Sequence, residues 1–432
     1  MRKLIAAAGA LALGLTMTAC SSASDAGKDG ADAAGGASEV GVVTWWSAGS
    51  EKLGFEALTK VFNEQNPDVT LKNLATSGGA GSQAKQKLQT DLAAKNPPDT
   101  YQSHAGAELS ADIAAGYLED VSGLYDEFGL KDAFPKDLVD RLTVDGKIYS
   151  VPSNIHRANP VWVSAAACEK AGIDPSKAPA DIDAWLADMQ KLQDAGVKYP
   201  LGVGMAWTQL QLLESVLIAD LGPDDYTKLV NGDLAWDDAK VTVAFKHFDK
   251  LMSFTDPSLY PEDWEPAMKG VINNDGTQAY SLMGDWTPPA FDTAGKKLNQ
   301  DFYVWPAPGT EGVFDFLADS FTQPVGAKHA EGTKAWLKTI SSKEGQIAFN
   351  SVKGSIPARS DLSEEEITQN FSEYQQSAMK SFASDTIVSS IAHGAALPIT
   401  VTNAMNEALG KYDTAKDIAA LQQDFAKAAA MK

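Results

Sequence analysis

Basic residues, cysteine and the common catalytic signatures are all scarce in this 432-residue chain. Its 36 Lys and Arg face 57 Asp and Glu, a formal net charge of −21. That balance repels nucleic-acid backbones and anionic headgroups, so no nucleic acid is expected as a partner. There are two cysteines, Cys20 and Cys168, too few for a disulfide framework. The chain carries no HExxH, CxxC, GxSxG or GxxxxGK[ST], which leaves zinc-protease, thiol-redox, serine-hydrolase and P-loop chemistry without a motif. The five histidines, at 104, 156, 247, 329 and 393, are never paired at metal-ligand spacing, so neither metal nor cofactor is expected. No repeat period suggests a solenoid, and beyond residue 19 no apolar run is long enough to span a bilayer.

What is present begins with an export signal. Arg2 and Lys3 precede an apolar run from Leu4 to Ala19, a charged segment and apolar core of signal-peptide type over residues 1–19. Met17-Thr18-Ala19-Cys20 resembles the lipobox of bacterial lipoproteins, which makes Cys20 the expected lipidation site; the alternative is an ordinary cleavage site beside a stray cysteine. Residues 21–39 contain only Ser, Ala, Gly, Asp, Lys, Glu and no aromatic or branched aliphatic side chain. Residues 20–39 therefore read as a lipidated cysteine and flexible tether, about 25 Å in mean span.

The rest is 44% hydrophobic and 22% charged overall, a globular composition. Strand patterns at Gly41–Trp46, Val69–Leu74 and Thr100–Ser103 alternate with helical spacing at Phe55, Leu58 and Phe62 and at Leu88 and Leu92. Such alternation predicts α/β layers. Further strands are expected at 148–152, 160–164, 279–282, 302–305 and 313–318, and helices over 182–192, 208–221 and 237–254. The polar stretch Ser153–Arg157 and the segment near Trp305 are the expected crossings between two lobes. The expected segmentation is 40–155 with 307–340 for an N-lobe, and 156–306 with 341–432 for a C-lobe.

Ten tryptophans are the main chemical signal. Trp162, Trp185, Trp236 and Trp336 fit packing roles, whereas Trp45, Trp46, Trp207 and Trp286 stand beside polar residues at strand or turn ends. A sugar presents apolar C–H faces and a rim of hydroxyls, so it wants flat aromatics beneath and carboxylates, amides, Lys and His around the edge. Glu51, Asp285 and Asp319 could alternatively supply the carboxylate pair of a glycosidase. The loop Gly78-Gly79-Ala80-Gly81 lacks a P-loop lysine and reads as backbone that approaches a ligand closely.

Thr44-Trp45-Trp46 with Glu51, Ser77–Gly81, Tyr101–Gly106, Val151–Arg157, Trp207-Thr208-Gln209, Leu221–Asp225, Met283–Trp286, Ala318–Phe321, Lys353–Arg359 and His393-Gly394-Ala395 run in order along the chain. Together they resemble the extracellular solute-binding proteins of ABC sugar importers, and more narrowly the glucose/mannose-binding subgroup. The resemblance implies a two-lobe α/β fold of the periplasmic-binding-protein type II class, with the ligand in the cleft between lobes and closure about hinge strands. It implies a sugar site of Trp45, Trp46, Glu51, Gly78, Gly79, Gln102, His104, Trp264, Trp286, Asp319, Lys353 and His393, with no catalytic residue. The expected ligand is a monosaccharide, glucose first, with mannose or galactose tolerated; a disaccharide or other sugar, or a secreted carbohydrate-active enzyme, is the alternative. The expected partners are ABC permease subunits with a separate cytoplasmic ATPase, the receptor being a monomer held outside the cytoplasm by its lipid anchor. Met205, Ala206 and Gln211 depart from the subgroup's more polar sequence around Trp207.

Overall fold

The computed structural model describes residues 38–76 and 81–432; the signal segment, Cys20, most of the tether, Gly78 and Gly79 lie outside them. Thirteen strands are found among the described residues: β1 (Ser38–Val43), β2 (Val69–Asn73), β3 (Thr100–His104), β4 (Thr143–Val144), β5 (Lys147–Ile148), β6 (Ser150–Pro152), β7 (His156–Arg157), β8 (Pro160–Ser164), β9 (Tyr280–Leu282), β10 (Phe302–Pro306), β11 (Val313–Leu317), β12 (Asp319–Thr322) and β13 (Thr386–Ser389). Five form one sheet in the order β2-β1-β3-β12-β6. Its first three strands are parallel and its last two run antiparallel to their neighbours. Two three-stranded sheets, β10-β8-β9 and β13-β11-β7, complete the framework with the β4-β5 hairpin.

The strands and helices make two α/β lobes, each with its own core. One core gathers Val40, Val42, Trp46, Phe55, Phe62, Phe321, Trp336 and Phe349. The other gathers Val161, Trp185, Leu212, Phe245, Phe248, Leu409 and Phe425. Trp162, Trp185 and Trp336 are wholly enclosed and Trp236 nearly so. The first strand begins and ends earlier than its β-branched run suggests. Ser38 and Glu39 pair with Val69 and Thr70, so the tether gives way to structure two residues before its expected end, and Trp45 and Trp46 lie beyond the strand. The expected helix over 208–221 is found, with a further helical stretch joined to it across a kink at Gly222 (φ 73°, ψ 165°) and Pro223; proline has no N–H to continue the ladder.

Residues 341–432 divide between the cores. Phe349, Ile356, Ala358 and Ala378 pack with Trp46 and Phe55, while Val388, Val401, Met405 and Leu409 pack with Phe245 and Phe248. The cause is the helix Lys343–Lys353, which lays Phe349 against the Trp46 ring, centroids 4.6 Å apart. Among the described residues no helix is long and apolar enough to cross a membrane.

Candidate functional site

The sheet register builds half of the site. β1 and β3 are parallel neighbours, so their C-terminal ends deliver Trp45 and His104 side by side, ring centroids 5.2 Å apart. β12 runs back beside β3 with Asp319 opposite His104, and β7 sets His156 opposite Leu317 at the end of β11. Glu51 stands in the first turn of helix Gly49–Gln65, and Lys353 ends helix Lys343–Lys353. Their side chains meet at 3.3 Å.

The facing half is aromatic. Trp207 lies in the first turn of helix Ala206–Asn231, Trp264 opens a short helix capped by Asp263, Trp286 follows β9, and His393 sits in the loop after β13. Trp286 lies 6.2 Å from Trp207 and 5.3 Å from His393, centroid to centroid. The Trp207 Nε1–H donates to Asp263 Oδ1 at 3.1 Å. Two glycines seat the indoles: a Cβ on Gly81 would lie 2.5 Å from the Trp45 ring, and one on Gly284 would lie 2.1 Å from that of Trp286. Any side chain there would push the ring out of place.

These residues enclose one cavity, lined by Trp45, Glu51, Gly81, His104, His156, Trp207, Asp263, Trp264, Trp286, Leu317, Asp319, Lys353 and His393. Its volume is about 60 Å³, room for about four to six waters at roughly 10–15 Å³ each.

Asp319 is the electrostatic centre. It accepts from Gln102 Nε2 at 2.9 Å and from Asn154 Nδ2 at 2.8 Å, and its own N–H donates to Asn154 Oδ1 at 2.7 Å. Burial would raise its carboxyl, yet His156, with His104 and Lys353, holds it far below the carboxylate range. His156 is buried too, which would lower it, but Asp285 and Asp319 leave it raised above the ordinary imidazole value. Its Nδ1 bonds Asp285 Oδ1, and its Nε2 lies 3.4 Å from Asp319 Oδ2. His156 thus stands between two carboxylates that favour its protonated form, with the Asn154 amide nitrogen 3.0 Å from its Nε2. His393 takes the opposite course: burial, then the charges of His104, His156 and Lys85, push it well below the ordinary value. It is a neutral imidazole whose buried Nε2 has no hydrogen-bond partner. Burial raises Glu51 against the pull of Lys353, although a quarter of its side chain remains exposed.

Of the residues expected from sequence, Trp45, Glu51, His104, Trp264, Trp286, Asp319, Lys353 and His393 come together here. Gln102 stands behind the wall. Its Oε1 accepts from the Thr44 hydroxyl and the Trp45 N–H while its amide holds Asp319, so it positions the residues in front of it. Trp46 does not line the cavity; the chain turns here, with the Ser47 N–H donating to the Trp45 carbonyl at 2.9 Å, and the Trp46 ring is buried among Phe55, Phe321 and Phe349. His156, Trp207, Asp263, Leu317 and Gly81 join the lining without having been counted in the site. The Trp207 signal, an aromatic beside polar residues, was visible in sequence; Asp263 offered none.

The arrangement suits recognition better than bond cleavage. Asp285 is fully enclosed and accepts from the Arg157 N–H at 3.0 Å besides bonding His156, and Asp319 is occupied by Gln102, Asn154 and His156. Neither carboxylate is available as a nucleophile or base. Among the described residues no three His, Cys, Asp or Glu are grouped to hold a metal ion.

A model of the bacterial extracellular solute-binding protein family matches residues 47–347. An ABC transporter extracellular-binding protein of Pyrococcus horikoshii is 34% identical over 88% of this chain and 85% of its own. A probable sugar-binding periplasmic protein of Brucella suis is 29% identical over 88% and 91%, and the xylose/arabinose-binding protein of Haloferax volcanii 28% over 86% and 80%. Among solved structures, a chitin oligosaccharide binding protein superposes with a TM-score of 0.78 at 18% identity, over 91% of this chain and 98% of that one. The solute receptor AcbH, described as preferring β-D-galactopyranose, gives 0.76 at 19% identity over 92% and 99%.

Proposed function

The chain belongs to the bacterial extracellular solute-binding protein family, as an extracytoplasmic sugar receptor of an ABC importer and not an enzyme, and we propose that its ligand is a single monosaccharide. Glucose is the first candidate, with mannose or galactose tolerated. The observation that carries this reading is the lining of the cavity itself: flat indoles on one side and a hydrogen-bonding ring of Glu51, His104, Asp319, Lys353 and His393 on the other. A pentose is the second reading, favoured by the Haloferax relative named for xylose and arabinose.

Trp286 and Trp207 would lie against the ring's C–H face, and Glu51, Asp319, Lys353, His104 and His393 would meet its hydroxyls. Backbone in the Gly78-Gly79 loop would add contacts. We assign the lobes as 40–155 with 307–382, and 156–306 with 383–432, which moves residues 341–382 of the expected segmentation to the first lobe because Phe349, Ile356, Ala358, Ala378 and Phe382 pack with its core. Closure about the strands near Asn154 and Trp305 would bring both halves onto the sugar, with the ligand acting through its higher affinity for the closed form. The receptor would act as a monomer, held by a lipid on Cys20. Calorimetric titration against hexoses, pentoses and short oligosaccharides tests the ligand. Tight binding of glucose with weaker pentoses is expected; preference for an oligosaccharide, or no binding at all, overturns it.

A further inference from the structure

Behind the cavity lies a second pair of carboxyls that sugar contact does not use. Asp315 is on β11, two residues before Leu317, and Glu214 is on the helix Ala206–Asn231; both are fully buried. The backbone around Asp315 is tied to the crossing segment: Ala158 N–H donates to its carbonyl at 2.8 Å, and its own N–H to Asn159 Oδ1 at 3.3 Å. Glu214 is tied to the loop that carries His393, accepting from the Ser390 hydroxyl at 2.8 Å and the Ala392 N–H at 2.7 Å. Glu214 thus has the donors that an ionised carboxylate needs.

Asp315 has none. Neither of its oxygens finds a donor, although its side chain lies against that of Glu214. A buried carboxylate left in that state is costly, and carboxyls that share a site resolve the cost by retaining a proton on one of them. A protonated Asp315 becomes a donor itself, and Glu214 is the acceptor beside it. We propose that Asp315 and Glu214 share one proton and act as positioning residues for the sugar site, clamping the His393 loop to the strand that leads into Leu317 and Asp319.

The surroundings fit that role. The charged or titratable groups that face the pair are the Arg157 guanidinium from β7 and the neutral Tyr226 phenol from the same helix as Glu214. Arg157 spends its hydrogen bonds on the Val313 carbonyl, Asn159 and Ser381, and lies 3.7 Å from Asp385. The Tyr226 hydroxyl donates to the Ser389 carbonyl at 3.0 Å. Neither hydrogen-bonds the pair, so the proton between the carboxyls is a side-chain link added to the β11–β13 pairing and to the Ser390 N–H bond to the Phe316 carbonyl at 2.9 Å. Loss of that proton sets two buried anions against each other, loosens the seating of the His393 loop beside β11, and weakens sugar binding as pH rises.

This inference rests on the sugar-receptor reading, and its test has one arm that does not. Asp315→Asn keeps a donor toward Glu214 at every pH. A group whose folded pKa is raised stabilises the fold less as pH climbs above its unfolded value, so Tm measured without sugar should fall with pH more steeply in the wild type than in Asp315→Asn. Parallel Tm curves overturn the shared proton. In the second arm, glucose titration of Glu214→Gln, whose single carbonyl cannot serve both Ser390 and Ala392, should show binding weaker by at least about tenfold, the scale of one buried group left unsatisfied. Asp315→Asn should flatten the decline of affinity with pH. Wild-type affinity in Glu214→Gln overturns the positioning role, and a wild type that binds no sugar in the panel overturns the monosaccharide reading while the Tm arm still decides the proton.

Discussion

The two halves of the cavity recognise by different physics. On the side built from β1, β3 and β12, Asp319, His156, Gln102, Asn154, Lys353 and Glu51 form a network in which each polar group is held by another. On the facing side Trp207, Trp286 and His393 make edge and tilted ring contacts, and His393 keeps a nitrogen unpaired. A saturated network is preorganised but fragile, because removing one member strands its partners. An aromatic wall loses only the contact area of the ring removed. The first half should therefore fail in folding, and the second in binding.

The largest effect is expected at Asp319. Asp319→Ala leaves Gln102, Asn154 and His156 without their common acceptor, and removing one partner of a buried polar or ionic network costs about 3–5 kcal/mol. Urea denaturation should show that loss, together with abolished sugar binding. A variant as stable as the wild type would show that the network is not preorganised.

The next comparison sets two tryptophans against each other. Trp46→Ala removes a ring packed on Phe349 and Phe321 and should cost about 3–5 kcal/mol in stability, with sugar binding retained by the folded fraction. Trp286→Ala should weaken binding by about 1–3 kcal/mol and leave the urea midpoint near that of the wild type. If the two variants share one phenotype, the division between core and cavity at these positions is lost.

Much of this was legible beforehand, for definable reasons. Pro160–Ser164 and Val313–Leu317 are short β-branched and aromatic runs between turn residues, and both are strands. Helical spacing at Ile182, Trp185 and Met189 likewise meets a helix, Ile182–Asp194. Less legible was anything set by direction. Trp45 and Trp46 are adjacent and chemically alike, and only the path of the chain beyond Val43 sends one into the cavity and the other into the core. Lys353 could be placed with Glu51 only once the Phe349 face of its helix was seen on helix Gly49–Gln65. Asp263 looks like any helix cap until the fold brings Trp207 beside it.

A smaller effect sharpens the role of the glycine seats. Gly81 has φ +84° and supports the Trp45 ring. Alanine there should cost about 1–2 kcal/mol for the left-handed backbone alone and displace the indole as well. Calorimetry should show weaker binding, and the Trp45 fluorescence environment should change; normal affinity would mean that Trp45 tolerates a shifted position.

The smallest effect separates the two halves by pH, because their histidines are shifted in opposite directions. His393 in the aromatic half is lowered well below 6.5, so between its folded value and 6.5 the unfolded chain binds the extra proton, and stability rises with pH up to about 6.5. His156 in the polar half is raised above 6.5, so from about 6.5 upward the folded chain holds the extra proton, and stability falls until the folded value is passed. Each limb has a slope of at most about 1.4 kcal/mol per pH unit. Paired urea titrations across pH 5–9 isolate them from other titrating groups, since the wild-type minus His393→Gln difference should slope only on the acid side and the wild-type minus His156→Gln difference only on the alkaline side. Slopes on the same side for both variants would mean that the two imidazoles share one electrostatic environment, and the contrast between the halves would then rest on packing alone.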